Sequence, residues 1–245
     1  MSAQTAIEVR GGVFAYGRRR VLDGVDLAVE AGTTTVLLGE NGVGKTTLLR
    51  CLAGLLEPAA GTFRVLGLDP ARDRRRLSER TGLVPDAPDA WAWMTAPDLL
   101  RFLAVHHPRW SAARAAELLS SLRVPVDRRF GEMSRGEATK AMLVATLAHE
   151  PEVLLLDEPF AGLDPLVHDD VLRAVVDALG AGPRTVIVST HDLDVAARIG
   201  DHVAILSRGR IVRHVPLEQA AGEGATPRRE ALKDLFAAAV GEVVA

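Results

Sequence analysis

The sequence is poor in sulfur and in aromatic rings. Of its 245 residues one is a cysteine and one a tyrosine, and aromatic residues make up 4% of the chain. A single cysteine, Cys51, excludes an internal disulfide and is typical of a reducing compartment; we expect it to be a small core residue. The chain also lacks any apolar run of the roughly 20 residues that cross a bilayer. Residues 1–6 have neither the basic start nor the apolar stretch of a secretion signal, so we expect a cytoplasmic protein.

A strong surplus of charge is missing as well. The net charge is −3, which gives no electrostatic footprint for nucleic acid. The arginine-rich run at 72–76 is interrupted by an acid and predicts the solvated face of a short helix. The length of 245 residues is enough for one large α/β domain with a sizeable core, and 48% hydrophobic with 25% charged residues is ordinary for a soluble protein.

The hydrophobic pattern divides the chain into three kinds of segment. Residues 7–10, 25–29 and 62–66 alternate with period two and predict an antiparallel flap. Helical spacing at 97–107 and 111–122 predicts a helical insert over about 86–133. Strands at 152–156, 184–189 and 202–206 then alternate with helices at 165–179 and 193–199, which predicts a parallel sheet covered on both faces. The catalytic lobe would comprise about 1–85 and 134–220, a linker 220–225, and a docking C-terminal helix about 226–245.

One motif carries a specific chemistry. The run Gly39-Glu40-Asn41-Gly42-Val43-Gly44-Lys45-Thr46 matches the phosphate-loop pattern G-x-x-x-x-G-K-[ST], followed by Thr47. It lies between an apolar strand candidate, Thr34–Leu38, and a helix candidate that ends before Gly54. In such a loop the backbone N–H groups face phosphate oxygens, Lys45 reaches the β- and γ-phosphates, and Thr46 ligates Mg²⁺. The alternative is a glycine-rich turn without a ligand.

A pair of carboxylates supplies the second half of this chemistry. The buried run Val153–Leu156 ends in Asp157 and Glu158, whose side chains should point to opposite sides. Asp157 can therefore hold the metal while Glu158 polarises an attacking water. The alternative is a polar strand end that enters the turn at Pro159.

These motifs occur in an order that resembles the nucleotide-binding subunit of an ATP-binding cassette (ABC) transporter, over nearly the whole chain. The six matching elements are Tyr16, the phosphate loop Gly39–Thr47, Asp86 at the glutamine-loop position, the signature Met133-Ser134-Arg135-Gly136-Glu137, the pair Asp157 and Glu158, and Ala161–Asp164 with His191. The resemblance implies a P-loop NTPase of the α/β class, with an antiparallel flap and an inserted helical subdomain. It further implies that Tyr16 stacks on adenine and that His191 contacts the γ-phosphate.

Several of these residues have a purely structural alternative. Tyr16 could be an exposed edge aromatic, and His191 could cap the following helix. Asp164 before Pro165 has the pattern of a helix N-cap and is also expected to contact the other subunit of a dimer. The spacing of Ser134 and Glu137 is that of a capping box, so the signature should begin a helix whose N-terminus faces an ATP held by the other subunit.

Two positions depart from the family's pattern. Arg135 occupies a position where the family usually has glycine; it either adds a positive charge near the phosphate or points away along the helix. Asp86 replaces a glutamine with a shorter, negatively charged side chain, which would hold Mg²⁺ weakly or through water. Communication with a membrane partner through this loop is thereby put in question.

The resemblance implies an ATPase that binds ATP and Mg²⁺, forms a head-to-tail homodimer or heterodimer and works on integral membrane permease subunits at the inner face of the membrane. The segments His107–Trp110 and Leu163–Asp169 and the altered signature resemble a bacterial exporter branch often associated with antibiotic resistance. A soluble ABC scaffold is the alternative; a repair clamp would need a longer insertion or a cysteine pair.

Trp91 and Trp93 are candidates for the membrane-subunit contact or, alternatively, for the core of the helical lobe; an extended segment would place both rings on one side.

Overall fold

The computed structural model describes residues 4–180, 182, 184–221 and 228–241. Its strands are β1 (Thr5–Tyr16), β2 (Arg19–Glu30), β3 (Thr34–Leu38), β4 (Ala60–Val65), β5 (Thr81–Val84), β6 (Val153–Asp157), β7 (Thr185–Thr190), β8 (His202–Ser207) and β9 (Arg210–Pro216). Its α-helices are α1 (Lys45–Leu52), α2 (Arg74–Ser78), α3 (Ala96–Ala104), α4 (Ala112–Ser121), α5 (Arg135–Leu147), α6 (Pro165–Gly180), α7 (Leu193–Ile199), α8 (Leu217–Ala221) and α9 (Arg228–Gly241).

The predicted flap is a three-stranded antiparallel sheet in the order β2-β1-β4. Its apolar side chains, such as Ile7, Val25 and Phe63, are buried in one hydrophobic cluster with α1. Alternating apolar residues therefore turn one face of the flap inward, as a half-buried antiparallel sheet requires.

The main sheet has six strands in the order β5-β6-β7-β3-β8-β9. All neighbouring pairs are parallel except β8 and β9. Every residue of β6 is buried: Leu154 and Leu156 enter one core cluster, while Val153 and Leu155 enter the other. A strand with apolar residues on both faces needs cover on both, which confirms the parallel sheet predicted from the sequence.

The helices α3, α4 and α5 form the helical part of the molecule. Capping explains where they begin: Thr95 and Asp98 form a capping box at α3, and Ser111 accepts a hydrogen bond from the N–H of Arg114 at α4. The helix α5 packs against α3 and α4 and also against β5 and α6, so it connects this part to the sheet. The boundaries given above for the lobes stay a prediction.

Some segments differ from the sequence-based expectation. The strand β5 was not predicted because it is four residues long and contains Gly82, and β9 was missed because its arginine and histidine obscure the alternation. Ala220 and Ala221 of the predicted linker belong to α8, while its remaining residues lie outside the described chain.

The C-terminal helix docks on the domain as predicted, since α9 buries Leu232 completely and packs against α7 and α8. Among the described residues, no helix combines the length and the hydropathy that crossing a membrane would require.

Candidate nucleotide site

The phosphate loop connects the end of β3 to the start of α1. Gly42 and Gly44 have φ angles of 77° and 119°, in the left-handed region that favours glycine. A Cβ on Gly39 would lie 2.6 Å from the carbonyl oxygen of Leu206, so no larger residue fits there. The backbone thus curls in front of a helix N-terminus in the way that anion binding requires.

Lys45 is buried at the centre of this loop. Its Nζ donates to the carbonyl oxygens of Gly39 at 2.7 Å and Glu40 at 3.2 Å. The same Nζ lies 3.0 Å from Oε1 of Glu158, with side chains that are 6% and 13% exposed. The phosphate loop and the predicted general base therefore meet at one ammonium group.

Asp157 occupies the end of β6 beside Ser189 of β7, its partner in the parallel register. The Ser189 hydroxyl donates to Oδ1 of Asp157 at 2.7 Å. Burial raises the pKa of Asp157, while hydrogen bonds from Ser189 and Thr46 act in the opposite direction. A buried carboxylate beside the Thr46 hydroxyl is a set of hard oxygen donors, which fits Mg²⁺. Ser189 was missed at the sequence level, although a polar residue that ends an apolar strand was a usable signal.

Glu158 leaves the sheet in a strained conformation. Its φ angle is 45°, which costs a non-glycine residue about 1–2 kcal/mol. The Glu158 N–H donates to the carbonyl oxygen of Ser189 at 3.1 Å and to its hydroxyl at 3.0 Å, which holds the backbone there. The carboxylate Oε2 lies 3.0 Å from Nδ1 of His191. The predicted base is thus in direct contact with His191, the residue expected to contact the γ-phosphate.

A cleft of about 690 Å³ joins these groups. Lys45, Thr46 and Thr47 line it together with Glu40, Asn41, Gly42, Gly44, Tyr16, Asp86, Arg135, Glu158 and His191. Gly39 contributes its carbonyl to Lys45 instead, and Val43 packs against the flap's hydrophobic cluster. Asp157 lies behind Thr46, at 2% exposure. The folded chain thus assembles most of the predicted nucleotide-binding residues around one space.

Tyr16 stands at the outer end of the cleft, where β1 turns into β2. Its ring is 50% exposed and meets Phe14 edge-on, with centroids 4.9 Å apart. This contact supports one side of the ring and leaves a face free for a planar base. Arg19 and Val21 line the same end of the cleft and had no motif that would have identified them.

The signature segment begins α5 with the expected capping box. The Glu137 N–H donates to Oγ of Ser134 at 3.2 Å, and the Ser134 N–H donates to Glu137 at 2.8 Å. Backbone bonding to Ser134, more than the neighbouring Arg128, holds the pKa of Glu137 below its usual range. Gly136 is buried, and a Cβ there would lie 2.4 Å from Cγ1 of Val167. Ser134, Gly136 and Glu137 do not line the cleft of their own chain.

Arg135 follows neither sequence-based alternative fully. Its guanidinium lies at the cleft of its own chain, where Nη2 donates to the carbonyl oxygen of Asp86 at 3.0 Å. Asp86 reaches the same cleft, and its Oδ1 accepts the N–H of Ala87 at 2.8 Å. The two departures from the family pattern are therefore in direct contact.

Trp91 and Trp93 are exposed rather than packed in the core, at 57% and 62%. Their rings stack with centroids 6.0 Å apart, so both lie on one side as predicted. The segment is a turn rather than extended, because the Met94 N–H donates to the carbonyl oxygen of Trp91. Trp91 also meets Phe102 of α3 and lines a groove of about 540 Å³ between α3, β5 and α5.

Comparison with known proteins agrees with this geometry. A family model described as "ABC transporter" matches residues 22–161, and a model described as "AAA domain, putative AbiEii toxin, Type IV TA system" matches residues 126–197. The chain is 37% identical over 243 residues to the nickel import ATP-binding protein NikO of Rhodobacter capsulatus, covering 93% of this chain and 95% of that protein. It is 38% identical to the daunorubicin resistance ATP-binding protein DrrA3 of Streptomyces coeruleorubidus, covering 86% and 68% of the two chains.

A solved structure described as the ATP-binding subunit of an ABC transporter superposes with a TM-score of 0.82 at 28% identity. The alignment covers 94% of this chain and 99% of the other. The fold predicted from the sequence is therefore confirmed over almost its whole length.

Proposed function

The chain belongs to the ABC transporter family as an ATP-binding subunit with ATPase activity, and from this membership we propose that it powers transport through separate membrane subunits. The observation that carries the chemical part of this proposal is the contact of Glu158 with both Lys45 and His191 inside one cleft. Each residue then has a distinct task in hydrolysis.

Lys45 neutralises charge on the β- and γ-phosphates, in the bound state and in the transition state alike. Glu158 accepts a proton from the attacking water, and His191 holds the Glu158 carboxylate in the cleft. Thr46 and Asp157 are the residues that would hold Mg²⁺, and Asp86 lines the same cleft as Thr46. The metal would offset phosphate charge. Tyr16 supports the adenine ring at the outer end.

We further propose that two cassettes associate head to tail. The N-terminus of α5, where Ser134 is exposed and Glu137 half-buried, lies outside its own cleft and is suited to meet the γ-phosphate of an ATP held by a partner. Asp164, whose Oδ1 accepts the N–H of Leu166 and Val167 as an N-cap, would contribute to the same interface. The partner would be a second copy or a related subunit.

The membrane subunit would dock at the groove beside Trp91. Two stacked, half-exposed tryptophans form an apolar patch with Phe102, and such aromatic groups are typical anchors of interfaces. This location would place the cassette at the inner face of the membrane. Relatives named for import and for resistance match this chain at similar identity, so they do not distinguish the direction of transport. Export therefore stays a prediction from the sequence.

Copurification from solubilised membranes of the native cell tests the transport proposal. Recovery of a stoichiometric integral membrane protein with a tagged chain supports it, and ATP-dependent transport by that complex in inverted vesicles would give the direction. Recovery of soluble partners alone would contradict it and favour the assembly scaffold.

A further inference from the structure

Arg135 joins three segments that are far apart in the sequence. It is the first residue of α5, and its Nη2 donates to the carbonyl oxygen of Asp86, 49 positions earlier. Its Nη1 would lie 3.5 Å from a Cβ built on Gly162, in the loop that follows Glu158. One guanidinium, carried by the start of α5, therefore bonds to the loop after β5 and lies beside the loop after β6.

The loop that contains Asp86 has few other attachments. It follows the last residue of β5, Val84, and contains Pro85 and Pro88, which have no N–H to donate. Within the described part of the chain, the Asp86 side chain accepts a hydrogen bond from the N–H of its neighbour Ala87, which is a local contact. The bond from Arg135 is thus a long-range restraint on this short segment.

The position of that loop affects the predicted metal site. Asp86 lines the cleft together with Thr46, one of the two predicted metal ligands. A displacement of the Asp86 backbone would move this carboxylate relative to Thr46 and Asp157. A contact that holds the backbone oxygen of Asp86 therefore also controls where the third carboxylate of the site lies.

We propose that Arg135 is a positioning residue for the nucleotide site of its own subunit, acting by holding the Asp86 loop against the start of α5. This inference builds on the proposed function, because it assumes that the cleft binds ATP with Mg²⁺. It differs from the arginine-finger alternative, in which Arg135 would act on a phosphate held by the other subunit. Arg135 stabilises the site through its bond to the backbone of Asp86.

The test measures binding of a fluorescent ATP analogue as a function of Mg²⁺ concentration, at protein concentrations where light scattering finds monomers. In Arg135→Ala, the Mg²⁺ concentration for half-maximal binding should rise by about fivefold, the order expected for loss of one ordinary solvent-exposed hydrogen bond. In an Asp86→Ala background the same change should alter it by less than about twofold, because the loop then carries no carboxylate to position.

Arg101→Ala is the matched control, since Arg101 is an exposed arginine of α3 that pairs with Asp98 in its own helix. It should leave the Mg²⁺ dependence unchanged. Equal losses from Arg135→Ala in both backgrounds would mean a direct phosphate contact and overturn the proposal, as would an unchanged Mg²⁺ dependence in the monomer. Failure of the unaltered protein to bind the analogue would instead refute the proposed function.

Discussion

Replacing Glu158 with glutamine tests the assignment of the general base. The substitution keeps the shape of the side chain and removes its negative charge and its capacity to accept a proton. Because Glu158 lies 3.0 Å from both Lys45 and His191, the amide should stay in the cleft. We expect the hydrolysis rate to fall by at least about 10²-fold, which corresponds to roughly 2.7 kcal/mol in the activation barrier.

The same variant should bind ATP more tightly. At 3.0 Å the attraction between Lys45 and Glu158 is about 5 kcal/mol gross at an effective dielectric constant of about 20. Desolvation of the two buried side chains offsets most of this attraction. We therefore expect the pairing of Lys45 with Glu158 to weaken ATP binding by about 1.4 kcal/mol, or tenfold in affinity. Loss of the repulsion between Glu158 and the γ-phosphate acts in the same direction.

Single-turnover hydrolysis and equilibrium binding of a fluorescent ATP analogue measure these two effects separately. Glu57→Gln is the matched control, since Glu57 is an exposed acid of the same lobe that lies outside the cleft. Hydrolysis above about a tenth of the unaltered rate would show that Glu158 is not the base. Weaker ATP binding in the variant would refute the competition between Glu158 and phosphate for Lys45.

Three further predictions use other parts of the molecule. Lys45→Ala should lower ATP affinity by about 10²-fold and abolish hydrolysis, because the loop loses its ammonium group; calorimetry that finds unchanged affinity would contradict the phosphate-loop assignment. Burial lowers the pKa of His149 from 6.5 to about 4, so between these pH values His149 is protonated in the unfolded chain but not in the folded one. The free energy of unfolding should therefore fall by up to about 3 kcal/mol from His149 as the pH drops from 6.5 to 4, and urea titrations of His149→Phe should lack this contribution. Trp91→Ala and Trp93→Ala should reduce copurification of the membrane subunit and leave the melting temperature nearly unchanged, since both rings are more than half exposed; a large drop with retained partner binding would show a core role.

Much of the candidate nucleotide site was predictable because its parts are contiguous in the chain. The glycines of the phosphate loop and Lys45 lie within one strand-to-helix connection, and Asp157 and Glu158 end a fully apolar strand. Local backbone geometry places the phosphate loop, and strand alternation places Asp157. The direction of the Glu158 side chain depends instead on its left-handed backbone, which no sequence pattern indicates. Ser189 was not predicted, because its contact with Asp157 depends on the register of two strands that lie 32 positions apart.

The sequence by itself determined the fold class, the phosphate loop and the pair of acids, since each follows from periodicity or from a short motif with one backbone solution. The tertiary structure decided where Arg135 points and that Glu158 contacts both Lys45 and His191. These contacts join segments brought together only by packing of α5 and of the parallel strands. Their geometry depends on strand register, helix orientation and side-chain rotamer together, and no local pattern of residues encodes all three.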